Sequence, residues 1–441
     1  MSQENSGKPV LLQQFEVKGY KNLTGALTFG PLGRINVIHG ENNVGKSNLL
    51  QAMDLYFRFL DAIRVSGDSA ETRLAPGNLS EWGYLINDIF NLVEPVPIEM
   101  AGMFSLAAEQ RSQLGLGHME SPIEIGIQVY PHSGSRVGIK IVRLTDGVPG
   151  DMLRGILRLV SSVHLLQTEK ADSRFALLGV SRRLVAGDAE SSLHIVPQQL
   201  RDALFDAKES RDALTVRRWE LFVEAMKQFE PILGPGRFDT AFDRQSNQAN
   251  LVFDTGKVRI PVDLLGSGVQ QIVALLGQLL LTPATLVGIE EPELNLRYTL
   301  QKQLLKAFEE ITTSEYGPEQ LFLSSHSPAF EAEECFFGME LVDGVPVLSR
   351  RPRTQARNYT GTRDEEDVYP EMHARRSEPV SYVSSEGLVM LPEEARKALK
   401  VEHGGGVSFI PNKETGRIEV WTVDEVERWL TGDDGHDDGA R

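Results

Sequence analysis

The segment "HGENNVGKSNLL", His39 to Leu50, holds residue types at a spacing that implies chemistry. Gly40, Gly45, Lys46 and Ser47 satisfy G-x-x-x-x-G-K-[ST], the pattern of a loop that cradles phosphates. Such a loop needs several backbone N–H groups converging on one anion, and glycines let the chain curl where a Cβ would clash. The positive end of the following helix adds to the field there. Lys46 would reach the outer phosphates, and the Ser47 hydroxyl would ligate Mg²⁺. Asn42, Asn43 and Asn48 complete the candidate nucleotide-contacting set. The context also fits the motif: "GRINVIHG" reads as a buried strand through Ile35, Val37 and Ile38, and "SNLLQAMDLYFRFL" has apolar positions at helical spacing.

Three further stretches are each weak alone. "DLLGSGVQQIVALLGQLLL", Asp263 to Leu281, is a Gly/Ser loop opening an apolar helix, and such turns are ordinarily caps. "ATLVGIEEPELNLR" gives a strand over Thr285 to Ile289 ending in Glu290 and Glu291, which could simply be solvated. "EQLFLSSHSPAF" gives another strand, Leu321 to Ser324, ending at Ser325, His326 and Ser327, and a lone histidine more often satisfies a local hydrogen bond.

In this order the four elements resemble the ATPase head of the ABC superfamily: phosphate loop, signature loop, Walker B and switch histidine. They look most like the SMC-like and OLD-type branch, whose members carry "EEPE" or "DEPE" and "HSP". The resemblance covers roughly residues 10 to 335. It implies an α/β fold built on an ABC-type P-loop head. It also implies that two heads sandwich two ATP molecules, so Ser267 and Gly268 would act in trans on the γ-phosphate held by a partner copy. Glu290 would support Mg²⁺, Glu291 would be the base that polarises water, and His326 would hold the γ-phosphate and that water. The sequence departs from the wider pattern in having Glu290 where aspartate is usual and "GSGVQQ" where LSGGQ is usual. For the glutamine loop, Gln128 in "IEIGIQVY" is a candidate, against the ordinary reading of a surface strand residue.

These residues must be positioned by a chain of 441 residues, long enough for two or three domains. Residues 120 to 168 alternate like strands, and residues 196 to 233 read as one or two amphipathic helices. No heptad run is long enough for a chromosome-tethering coiled coil. The expected organisation is an ATPase domain over 1–345 with a helical insert at about 150–245 and a linker over 346–377. A domain at 378–431 and an acidic tail at 432–441 follow. The most apolar run, "VALLGQLLLTPATLVGI", is broken by Gln278 and Pro283 and reads as a buried helix and strand. No membrane role is expected. A single cysteine and no apolar leader suit the cytoplasm. The net charge of −17 argues against general DNA coating, so any DNA contact must be local.

Many OLD-type relatives continue into a metal-dependent nuclease, but "RDEED" (Arg363 to Asp367) and "GDDGHDDGAR" follow no apolar strand. A nuclease in this chain is therefore not expected. The final domain resembles the AbrB/MazE swapped-hairpin family through Ser385, Gly387, Val389, Leu391, Pro392, Arg396, Leu399, Gly404, Val407 and Phe409. Some 45 residues bury too little apolar surface alone, which favours interlocking two copies. Leu388 stands where DNA-gripping members have a basic residue, and Glu386, Glu393, Glu394 and Glu402 are acidic, so dimerisation or partner docking is preferred to DNA binding. The functional expectation is an ATPase, a homodimer or higher homo-oligomer using ATP and Mg²⁺, that controls a separate nuclease or toxin in an anti-phage or toxin–antitoxin-like system. A DNA-repair ATPase and an ATP-gated AbrB-type regulator are the alternatives.

Overall fold

The computed structural model describes residues 11–66, 69–90, 96–117, 122–132, 136–163, 172–179, 195–244, 247–330, 335–351, 407–412 and 417–422. The chain divides into two units, Met1–Arg357 and Asn358–Arg441.

The first unit is built on a six-stranded sheet. Its strands are β1 (Ile35–His39), β2 (Phe175–Leu178), β3 (Leu286–Glu290), β4 (Gln320–Ser325), β5 (Cys335–Val342) and β6 (Val345–Arg350), in the order β2-β3-β4-β1-β5-β6. All neighbours are parallel except β5 and β6. Every residue of β1, β3 and β4 is buried, as a parallel sheet covered on both faces requires.

Five long helices cover it: α1 (Lys46–Ala62), α2 (Gln198–Lys208), α3 (Ala213–Ala225), α4 (Ser267–Leu281) and α5 (Tyr298–Thr313). Strand alternation sorts them. Ile38, Leu286, Phe322 and Phe337 share a core with Leu49, Leu50 and Met53 of α1. Val37, Val287, Leu323 and Phe336 share a second core with α2 to α5. Hence α1 and α4 lie on opposite faces of the sheet.

The far side of α1 meets a second, antiparallel sheet of seven strands, among them Leu12–Lys18, Ile98–Phe104, Ile123–His132 and Arg136–Leu144. Its inward residues Phe15, Ile125, Ile127 and Val129 pack on α1, and the Tyr56 hydroxyl donates to the Ile125 carbonyl at 2.6 Å. Gln320, with no exposed surface, stitches the sheets together. Its Oε1 accepts from the Leu12 N–H at 2.8 Å and its Nε2 donates to the Leu12 and Gly33 carbonyls at 2.9 Å each.

Three expectations need correction or a boundary. The segment at about 150–245 is not a purely helical insert: Phe175–Leu178 is an edge strand of the main sheet, paired in parallel with β3, and Arg237–Asp243 starts a three-stranded antiparallel sheet. Within "SSVHLLQT", Ser161 ends a helix that begins at Leu153, and only Ser162–Val163 is strand among the described residues. The linker does not begin at residue 346, because β6 is hydrogen-bonded along β5 as far as Arg350. Among the described residues, no helix is long and apolar enough to cross a membrane.

In the second unit, Val407–Asn412 and Arg417–Thr422 pair as an antiparallel hairpin, as expected after the glycine turn. The remaining AbrB-like positions, from Ser385 to Gly404, lie outside the described residues, as do "RDEED", residues 352–377 and the acidic tail.

Candidate nucleotide site

The parallel strands deliver their loops to one edge of the sheet, where α/β folds place ligand sites. β1 ends at His39 and the phosphate loop follows, entering α1 at Lys46. The loop is made for close backbone approach. A Cβ on Gly40 would sit 2.2 Å from the Met339 carbonyl oxygen, Asn43 has φ 64° and Gly45 has φ 115°. α1 has no side-chain cap, so its first N–H groups are left to whatever the loop encloses. These features fit a phosphate group, and the half-buried Ser47 and the buried Glu290 are the residues that could hold a cation with it.

Lys46 is 7% exposed, and its Nζ donates to the Gly40 and Glu41 carbonyls at 2.8 and 2.7 Å. Burial pulls its pKa down to about 8, against the opposing influence of Glu291 and Glu293. The loop is braced from the turn after strand Leu12–Lys18. Asn48 donates to Asn22 Oδ1 at 2.7 Å, Asn22 donates to the Asn43 carbonyl, and Lys21 donates to Gln51 Oε1 at 2.6 Å. Asn48 is thus engaged in holding the loop. Asn22 was not singled out in the sequence, since its role depends on a contact 26 residues away.

Glu290 closes β3 and lies between β2 and β4. Glu291 follows in the left-handed region, φ 43°, with its N–H bonded to the Ser324 carbonyl at 2.9 Å. That conformation is uncommon for a non-glycine residue, and here it turns the carboxylate off the strand end. His326 follows β4, and its Nε2 lies 3.6 Å from Glu291 Oε1. Two residues absent from the sequence reading join it. Glu293 Oε1 accepts the His326 N–H at 2.6 Å, and His39 Nε2 donates to the His326 carbonyl at 3.2 Å. Burial lowers the His39 pKa to about 4, so its ring is neutral. The signal for Glu293 was available as the third acidic residue of "EEPE".

Ser267 and Gly268 start α4 and are not part of this cluster. α4 runs directly into β3 and so antiparallel to it, which brings its first turn to the same sheet edge as the phosphate loop but on the other face. Gly266 and Ser267 are exposed, and Leu264 beside them is 75% exposed. The loop is nonetheless held firmly: Gln270 Nε2 donates to the Asp263 and Leu265 carbonyls, and Arg201 pairs with Asp263 at 2.5 Å. Gly268 packs closely on α5: a Cβ there would lie 2.8 Å from Leu300 Cδ1, so that side chain would have to shift. Gln128 sits in the middle of the antiparallel sheet, opposite Glu99 and Lys140. Ile127 and Val129 face α1, so Gln128 faces away from it and is not brought to the phosphate loop.

Residues 35–332 match the family model described as "AAA domain, putative AbiEii toxin, Type IV TA system". The chain belongs to this family. That makes it, in general terms, a nucleotide-hydrolysing ATPase. No curated protein matches it. Among solved structures, an SMC head bound to the C-terminal winged-helix domain of ScpA is similar at 16% identity and TM-score 0.48, over 79% of this chain and 99% of that one. The SMC head domain from Thermotoga maritima is similar at 14% identity and TM-score 0.43, over 78% of this chain and 100% of that one. A Pyrococcus furiosus SMC head with an extended coiled coil, bound to the C-terminal domain of ScpA, is similar at 13% identity and TM-score 0.44, over 82% of this chain and 99% of that one.

Proposed function

We propose that the chain is an ATP-driven dimeric switch that governs a separate effector, a nuclease or toxin. One observation carries the dimer: the phosphate loop, Glu290, Glu291 and His326 converge at one edge, while the helix start at Ser267 and Gly268, exposed at Ser267, lies across the sheet from them. A second copy would present those N–H groups to the first copy's outer phosphate. Lys46 holds the β/γ-phosphates, and the loop N–H groups orient them. Ser47 and Glu290 would hold Mg²⁺, which neutralises phosphate charge. Glu291 accepts a proton from the attacking water, and His326 keeps that water and the γ-phosphate in line. ATP closes the pair and hydrolysis reopens it.

The effector reading is supported by the family's description as belonging to a toxin–antitoxin system. The same description favours a second reading, in which the chain is itself the toxic component. The C-terminal unit is assigned to dimerisation or partner docking in the AbrB manner.

The test mixes a Lys46→Ala chain with a Ser267→Arg chain. Each alone should be inactive, and the mixture should recover about one working site per heterodimer. Mixtures that dimerise yet stay inactive overturn the trans assignment. Glu291→Gln should accumulate an ATP-bound dimer by light scattering. Growth arrest on expressing the chain alone would support the toxic reading over the effector one.

A further inference from the structure

The switch histidine is gripped by both of its backbone polar groups, from partners 33 and 287 residues away along the chain. The His326 N–H points into the carboxylate of Glu293, two residues past the proposed base, at 2.6 Å. The His326 carbonyl accepts from Nε2 of His39, the last residue of the strand that feeds the phosphate loop, at 3.2 Å. Between these bonds the imidazole Nε2 lies 3.6 Å from Glu291 Oε1 and makes no hydrogen bond among the described residues.

We propose that Glu293 and His39 are positioning residues that clamp the His326 backbone, so that its ring is aimed at the reacting phosphate by the phosphate loop's own strand and by the Walker B turn. The proposal rests on the ATPase reading given above. Three features support it. The Glu293 bond is charge-assisted and short, the strong class of hydrogen bond. His39 reaches its partner across 287 residues, and its ring is packed tilted on Phe336 at 5.8 Å between centroids, so it holds one orientation. A carbonyl accepts only, so His39 must carry its proton on Nε2, and a neutral ring suffices. The clamp therefore joins three separate segments: the end of β1, the turn after β3 and the turn after β4. Movement of the phosphate loop on nucleotide binding would pass directly to the histidine.

Neither residue touches substrate, so the effect should fall on kcat and run through His326. Steady-state hydrolysis is measured for the full chain and for Glu293→Ala, Glu293→Gln, His39→Leu and His39→Gln, each with and without His326→Ala. Glu293→Ala and His39→Leu should lower kcat by about tenfold or more, the worth of one well-formed bond to a catalytic group, with KM changed less than about threefold. The glutamine variants keep an acceptor or a donor at nearly the same place and should recover most of the rate. In the His326→Ala background, the same four substitutions should change kcat by less than about twofold, because their only route is gone. Undiminished losses in that background, or glutamine variants no better than alanine and leucine, overturn the clamp. A second readout needs no turnover. The His326 amide proton of the nucleotide-free protein, followed by NMR, should be strongly downfield and slow to exchange, and both properties should be lost in Glu293→Ala. An unchanged amide overturns the clamp, whereas a wild-type chain that shows the amide signature but hydrolyses nothing overturns the ATPase reading alone.

Discussion

Gly40→Ala is the most direct probe of the phosphate loop. The new methyl would lie 2.2 Å from the Met339 carbonyl oxygen and 3.2 Å from its carbon and from Val44 Cγ2. Real Cβ atoms do not come within 3.0 Å, so a gap of at least 0.8 Å must open between the loop and β5. Both partners are backbone, and β5 is fixed by its ladders to β1 and β6, so no flexible side chain can absorb the move. Overpacking of this kind costs about 3 kcal/mol, the upper end of the usual range. The cost can be met in two ways. If β5 yields, the melting temperature falls. If the loop retracts, its N–H groups no longer converge and nucleotide affinity falls, by roughly a hundredfold for that energy. Thermal melting and a fluorescent-nucleotide titration on the same sample measure both. Gly77→Ala is the control: it lies in a short helix with nothing within 4 Å of the added methyl, so neither quantity should fall. If Gly40→Ala matches wild type in both assays, the loop does not lie against β5 as described, and the account of the cradle is wrong.

Three further outcomes are expected. Lys46, with a pKa near 8, must be protonated to hold phosphate, and bound phosphate raises its pKa. Binding therefore takes up a proton as pH climbs past 8, and ATP affinity should be about tenfold weaker at pH 9 than at pH 7, seen by calorimetry in buffers of different ionisation heat. His39 has a folded-state pKa of about 4 against an ordinary 6.5, so the unfolded chain binds more protons between those values and stability falls as pH drops through that window. From pH 7 to pH 5 the loss is about 2 kcal/mol, and urea unfolding of His39→Gln should lack that share. Gln320→Leu removes three hydrogen bonds while leaving the Leu12 N–H and carbonyl buried, and should destabilise the first unit by about 2–4 kcal/mol in the same assay.

What the sequence revealed follows from chemistry that constrains residue type locally. A phosphate loop needs its glycines and lysine in sequence, so Gly40 to Ser47 were legible together with the flanking strand and helix. Glu290, Glu291 and His326 stood out because they lie at the ends of strands with apolar runs, "LVGI" and "LFL". Strand limits differ by one residue from the reading of the apolar run, Leu286–Glu290 in place of Thr285–Ile289, because the ladder to β4 extends to Glu290. The missed parts share another property: their meaning lies in partners far along the chain. Nothing near Phe175–Leu178 reveals that it lines up with Leu286–Ile289, some 110 residues later. His39 was not singled out because its partner is 287 residues away. Gln128 sits as the ordinary reading of a strand glutamine has it, because residue type alone does not say which side of a strand faces a ligand.

The four-residue strand at Phe175–Leu178 has a practical consequence. Without it, the strand ending in Glu290 would become the outermost one, its backbone donors and acceptors open to water or to another chain. Gly179, just past that strand, lies beside the Glu290 carboxylate, where an added methyl would be in ordinary contact at 3.4 Å from Oε2. The lobe between the two halves of the head is therefore not a detachable module, and trimming it toward a minimal head would unroof the very acid the smaller protein is meant to keep.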